Sequence, residues 1–227
     1  MSNIVELKTS RLLAMDDLKR SGLTEKDFKQ LKLKPLNSDE TLELTGKYKV
    51  KAVVFPYHDE QGRESEYVRI KFLEVVRTFG QQKPLKYWQP PDTAPRAYLA
   101  PGIQWKKIFA NAEEPLWVTE GEKKAAAACK AGINCVGLGG VWSWRSTKLR
   151  IALIQDLAAI NWAKREVFLC FDTDATPKPE VDGALETLGS TLEQRGAFVK
   201  RIRLPIGPKA DKMGLDGGKL HTLLDVY

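Results

Sequence analysis

The amino-acid sequence predicts an α/β fold, a mainly parallel four-stranded sheet with helices on both faces, preceded by a smaller α+β domain that carries a basic excess. Three observations predict it. From residue 111 onward, short continuous apolar runs alternate with helix-length segments, the pattern of strands buried on both faces and joined by helical crossovers. Before that point the hydrophobic period switches between helical and alternating within short stretches. The formal charge of +7 divides at the same place: residues 1–110 hold 20 Lys and Arg against 14 Asp and Glu, residues 111–227 hold 16 against 15. Two domains, 1–110 and 111–227, follow from these shifts.

With 227 residues, 43% of them hydrophobic, the chain is long enough to bury a core in each part, which excludes disordered, collagen-like and disulfide-stapled classes. No segment approaches the roughly 20 apolar residues of a spanning helix, and Met1 to Leu7 lacks the basic and apolar regions of a secretory signal. A soluble, cytoplasmic protein with no membrane partner is expected. Cys129, Cys135 and Cys170 form no C-x-x-C pair and sit in apolar segments, so neither a zinc finger nor a disulfide framework is expected.

In the front half, residues 11–32 read as a helical hairpin turning at Ser21-Gly22-Leu23, its second helix capped by Thr24 with Glu25 and Asp27 in the first turn. It reads as a packing hairpin with Lys26, Lys29 and Lys32 on a solvated face rather than as a DNA-reading one. Pro35 to Thr41 reads as a polar linker. Two β-rich runs, Val50 to Tyr57 and Glu66 to Val75, flank the turn Asp59-Glu60-Gln61-Gly62 and predict a β-hairpin with Arg69 and Lys71 on one face of its second strand. The stretch from Lys83 to Gly102 interleaves Lys83, Lys86 and Arg96 with Tyr87, Trp88 and Tyr98, and its five prolines exclude a central strand or long helix.

In the second half, strands are expected at 115–119, 134–138, 166–171 and 197–204, with helices from Glu122 to Gly132, Thr147 to Lys164 and Val181 to Arg195. Ligands of such a sheet bind outside the carboxyl ends of its strands. Glu120 ends the first strand, and Asp172 with Asp174 follow the third. Three carboxylates from distant sequence thus meet at one rim, where their mutual repulsion is relieved by a divalent cation, and Mg2+ (or Mn2+) suits carboxylates that share their ion with water and substrate phosphates. Lys123 and Lys124 open the helix after Glu120, a place for phosphate contact. With His58 and His221 the only histidines, neither beside a Ser or Cys motif, nucleophilic His-assisted catalysis has little support.

The segments VTEGEKKAAAACKAGINCVGLGG, VFLCFDTDA and KMGLD resemble a Toprim domain, the catalytic fold shared by DnaG-type and phage primases, topoisomerases and some nucleases. VVFPYHDEQGRESEYVRIKF and LKYWQPPDTAPRAYLAPG resemble the basic amino-terminal part of the RNA-polymerase region of primases from phages, plasmids and other mobile elements, and DDLKRSGLT resembles their helical lead-in. The resemblance runs from about Met15 to Leu220.

It implies a DNA primase, a nucleotidyltransferase making short RNA primers on a single-stranded DNA template from nucleoside triphosphates. Glu120 would be general base or metal partner, Asp172 and Asp174 the magnesium ligands, and Lys212, Gly214 and Asp216 the downstream basic, glycine and acidic element. Gly217 stands where a second acidic residue is usual, which weakens a metal role for Asp216. Arg69, Lys71, Lys83 and Lys86 would bind triphosphate and template backbone, while Tyr87, Trp88, Trp142 and Trp144 would stack on unpaired bases, the latter two serving equally well as a core plug. This sequence contains neither the family's zinc-binding domain nor a G-x-x-x-x-G-K-[ST] motor, so the expectation is either a separate replicative helicase as partner or a longer protein of which this chain is a fragment. A Toprim nuclease using the same metal chemistry and a non-catalytic DNA-binding replication-initiation module are the alternative readings.

Overall fold

The structure, a computed structural model, describes residues 2–171 and 179–202. The described residues form two compact units, one within residues 1–57 and 64–93, the other within residues 58–63 and those described from Ala94 onward. The charge boundary at residue 110 and this packing boundary are different divisions of the chain: the first follows composition, the second follows which residues pack together.

The first unit opens with helix α1 (Ser2–Lys19) and the short α2 (Glu25–Gln30). The Thr24 backbone N–H donates to Asp27 Oδ2 at 2.6 Å, the reciprocal half of a capping box that fixes where α2 begins. The expected linker is instead ordered structure: β1 (Lys34–Leu36) pairs antiparallel with β2 (Ala52–His58), Pro35 opposite Val53, and α3 (Ser38–Thr45) follows. Asn37 caps α3 by accepting from the Glu40 N–H at 2.9 Å, while Glu40 Oε2 accepts from the Asn37 N–H at 2.8 Å. The proline is tolerated because β1 is an edge strand.

The hairpin strands are β2 and the long β3 (Glu64–Val76), with β4 (Leu85–Trp88) on the far edge, giving the order β1-β2-β3-β4. One cluster of this sheet buries Ala52, Val54, Ile70, Phe72 and Val76, with Leu36, Tyr48 and Trp88 packed against it. Burying the valine, isoleucine and phenylalanine side chains of this cluster contributes on the order of 1.5–3 kcal/mol each.

The second unit contains β5 (Ala97–Tyr98), α4 (Trp105–Ala110), β6 (Leu116–Glu120), α5 (Glu122–Lys130), β7 (Cys135–Leu138), α6 (Gln155–Ala158), β8 (Glu166–Cys170), α7 (Pro179–Glu193) and β9 (Phe198–Arg201). Its sheet has five strands in the order β5-β7-β6-β8-β9. β7, β6, β8 and β9, the four strands expected, run parallel, and β5 adds antiparallel to β7 as a fifth strand that makes the sheet mixed. β5 escapes a reading by hydrophobic pattern because it is two residues long and lies in the proline-rich stretch, and edge placement accommodates that composition.

The helix expected over Thr147–Lys164 is a single turn, α6. Ser146 and Ile151 form a β-bridge and Arg150 takes φ +54, which breaks the helical path while still delivering Ile151, Leu153, Ile154, Leu157 and Ile160 to the core. Two guanidinium groups anchor this unit. Arg165, 0% exposed, donates to the carbonyls of Asn161, Glu114 and Ile108 at 2.8 Å and of Phe109 at 3.0 Å. Arg96 grips Asp156 through Nε at 2.8 Å and a terminal nitrogen at 2.7 Å, and Asp156 also accepts the Ala97 N–H at 2.9 Å, tying β5 to α6. No helix among the described residues is long and apolar enough to cross a membrane.

Candidate active site

β6 is buried through Thr119 and emerges at Glu120, which is half-buried. Its register explains why. Glu120 stands opposite Leu138, the last residue of β7, and Thr119 opposite Cys170, the last of β8, so three parallel strands end together at one rim. Gly121 then turns the chain into α5 with φ +96, a conformation that L side chains rarely adopt, and its N–H donates to the Leu138 carbonyl at 2.7 Å. The E-G dipeptide is thereby given a reason: the glycine sets the direction of the carboxylate before it.

The alanine run behind Glu120 has a partner in Gly137. A Cβ there would meet Ala125 Cβ and the Gly121 carbonyl oxygen at 3.0 Å, so α5 lies close against β7 because both surfaces are small. Alanine repetition in a helix after a strand was the available signal for this contact.

The Glu120 side chain makes no hydrogen bond or ion pair among the described residues, which leaves a hard oxygen donor at the strand end. Asp172 and Asp174, expected to share its cation, lie outside the described residues, as do Lys212, Gly214, Asp216 and Gly217. Among the described residues no group of three His, Cys, Asp or Glu stands together to hold a metal. Glu122, two residues on, is 1% exposed at the start of α5, and pattern reading gave no sign of its burial. Burial, and then the Glu122 carboxylate, push the Tyr98 phenol above its ordinary pKa. Lys123 and Lys124 occupy the first turn of α5 and are half-buried. Cys129, Cys135 and Cys170 are thiols, with Cys129 pushed by burial up to about 11.

Three comparisons place this arrangement among known proteins. The model of a family described as Domain of unknown function (DUF3854) matches residues 104–217, half of the chain and the part that contains Glu120, Asp172 and Asp174. The chain belongs to this family. An uncharacterized protein of Picosynechococcus sp. is 37% identical over 110 residues, or 43% of this chain, and the match spans 11% of that relative's length.

Beyond the DUF3854 segment the whole chain resembles solved structures. The Aquifex aeolicus primase, with its zinc-binding and RNA polymerase domains, is 18% identical at a TM-score of 0.57, over 93% of this chain and 55% of that one. A DnaG catalytic core is 19% identical at 0.58 over 96% of this chain and 72% of that one. The RNA polymerase domain of Mycobacterium tuberculosis DnaG, solved with double-stranded DNA, is 16% identical at 0.58 over 94% and 72%. The fold of this DUF3854 protein is therefore that of DnaG-type primase catalytic cores.

In the amino-terminal unit the expected nucleic-acid-binding cations divide into two kinds. Arg69 and Lys71 do share a face of β3, because both approach the same ring: the Arg69 guanidinium lies 4.3 Å and the Lys71 ammonium 5.8 Å from the Tyr87 centroid. Arg69 is buried, and Lys71 is ion-paired with Asp17 of α1. Lys83 and Lys86 are exposed and carry no ion pair among the described residues. Of the tryptophans, Trp144 is 1% exposed inside the core of the second unit, which overturns base stacking and supports its role as a plug.

Proposed function

We propose that this chain is a DNA primase core, catalysing template-directed transfer of nucleotides from nucleoside triphosphates onto a growing RNA primer on single-stranded DNA. The observation that carries the reading is the ending of β6 and β8 at one rim within a primase-core fold, with Glu120 on one strand and the Asp172-Thr-Asp174 sequence directly after Phe171 beyond the other. The sheet is read as a Toprim-type sheet, and Mg2+ or Mn2+ as its cofactor.

Carboxylate oxygens are the donors that magnesium prefers, so Asp172, Asp174 and Glu120 suit it, with Asp216 a weaker candidate. When bound, the ion supplies charge neutralisation of the triphosphate and acidifies the attacking hydroxyl. Glu120 accepts the proton of the primer 3′-hydroxyl as its oxygen bonds the α-phosphorus and the bond to pyrophosphate breaks. Lys123, Lys124 and Lys212 would contact triphosphate, whereas Lys83 and Lys86, being exposed, would bind the template backbone through salt-sensitive contacts. Arg69 and Lys71, engaged by Tyr87 and Asp17, would act at most by shaping that surface. A separate helicase would open the template, in keeping with replication of a phage, plasmid or other mobile element, and the protein would work in the cytoplasm.

The test incubates the chain with magnesium or manganese, labelled ribonucleotides and single-stranded DNA of mixed sequence. Labelled oligomers longer than the substrate support the primase. Shortening of an end-labelled oligonucleotide assigns a nuclease, and binding with neither reaction assigns a non-catalytic module.

A further inference from the structure

The loop after β7 leaves the rim that carries Glu120, and it is pinned. Ser143 donates its N–H to the Gly140 carbonyl at 2.9 Å, Ser146 and Ile151 exchange backbone hydrogen bonds at 2.9 and 2.8 Å, and Ile154 donates to the Trp144 carbonyl at 2.9 Å. Trp144 is embedded in the core, and Trp142 packs against that core with its ring centroid 6.2 Å from that of Trp144. Over this pair lies the guanidinium of Arg145, 4.4 Å from the Trp142 centroid and 4.9 Å from the Trp144 centroid.

Arg145 is half-exposed and its side chain meets no carboxylate among the described residues. The sequence around it is one-signed: between Glu122 and Asp156 stand Lys123, Lys124, Lys130, Arg145, Lys148 and Arg150 and no acidic residue. A guanidinium held against indole rings by its cationic carbon makes no hydrogen bond to them, so its N–H groups are left to donate to another partner. Because it is already immobilised, it loses little side-chain entropy when those groups chelate an anion, and their spacing matches two phosphate oxygens.

We infer that Arg145, held on the Trp142–Trp144 pair, is a nucleotide-phosphate-binding residue. The inference deepens the proposed nucleotidyl-transfer reading and rests on it for the kind of phosphate: that of a nucleoside triphosphate or of a nucleic acid strand. In either case the contact is bidentate, so arginine is required and a point charge is not enough.

The test measures binding by the full chain without synthesis, in two arms, for the parent, Arg145→Ala, Arg145→Lys and Arg150→Ala. One arm reads anisotropy of a labelled oligodeoxythymidylate, the other titrates ATP with magnesium and follows tryptophan fluorescence. Arg145→Ala is expected to weaken binding about tenfold in at least one arm, as for loss of a charge-assisted hydrogen-bond pair. Arg145→Lys should recover less than half of that, and Arg150→Ala, which removes the same charge nearby, should stay within about twofold because it removes no bidentate contact.

Loss in the ATP arm assigns the triphosphate, and loss in the oligonucleotide arm assigns the strand. Unchanged binding in both arms, a parent chain that binds neither ligand, full rescue by lysine, or equal weakening by Arg150→Ala overturns the inference. Should Arg145→Ala melt early, Arg145→Lys, which keeps stem and charge, carries the comparison. A chain that binds through Arg145 yet makes no primer contradicts the proposed function alone; one that makes primer with binding indifferent to Arg145 contradicts this inference alone.

Discussion

The two compact units use arginine and lysine differently. In the first, ion pairs such as Lys34–Glu64 and Lys49–Asp39, both 2.8 Å, lie on the surface, where each contributes at most about 1 kcal/mol. In the second, Arg165 is enclosed by four backbone carbonyls and Arg96 is locked to Asp156, so these cations hold elements in place and are unavailable to a ligand. The two compact units carry nearly the same net charge, 16 Lys and Arg against 12 Asp and Glu in the first and 20 against 17 in the second, so the difference lies in what these cations engage and not in how many there are. Counting charges locates a polyanion surface; locating the partners of each charge decides whether it is free to serve.

The largest effect that sharpens this contrast is Arg165→Leu. Removing the donors to Asn161, Glu114, Ile108 and Phe109 takes this partner from three part-buried carbonyls, while the buried Phe109 carbonyl keeps the Asn161 N–H, and should cost about 3–5 kcal/mol in urea unfolding. A loss below about 1 kcal/mol would erase the distinction between the units. Next comes Gly137→Ala, where a methyl 3.0 Å from Ala125 Cβ and the Gly121 oxygen forces α5 away from β7, at about 1–3 kcal/mol in the same assay.

Alkaline pH should also act on the second unit, which holds the buried thiols and Tyr98. Cys129 ionises near its ordinary 9.0 in the unfolded chain but only at about 11 when folded, so stability is full below pH 9 and declines as pH rises toward 11. Thermal melts across that interval should move downward, and Cys129 should resist alkylation at pH 8 until the protein unfolds. The smallest stability effect is expected in the first unit: Lys83→Ala with Lys86→Ala should leave unfolding within about 0.5 kcal/mol of the parent, while lowering the salt slope of single-stranded DNA binding by about one to two.

Much of the second unit was legible because its strands are continuous apolar runs and its helices end at Gly132 and Gly196. What pattern reading missed has physical causes. The apolar spacing from Ile151 to Ile160 satisfies a helical period, yet a bridge, a left-handed arginine and one turn of helix bury the same residues. Asn37 and Glu40 did announce α3 through the capping-box spacing, a signal masked by Pro35 and the polar composition around it. Arg69 and Lys71 were correctly placed on one strand face, but no periodicity reports Asp17, which lies far off in sequence and engages Lys71. Glu120 was legible as the end of an apolar strand, and Glu122, with the same residue type and almost the same address, was not separable from it until burial was known.

The most direct test of the central claim is Glu120→Gln, assayed in parallel for single-stranded DNA binding, stability and nucleotide incorporation with magnesium. Because the Glu120 carboxylate has no hydrogen bond or ion pair among the described residues, the substitution should leave melting and DNA binding within error of the parent and reduce incorporation at least about a hundredfold. Incorporation at parental levels would contradict its assignment as the base of nucleotidyl transfer.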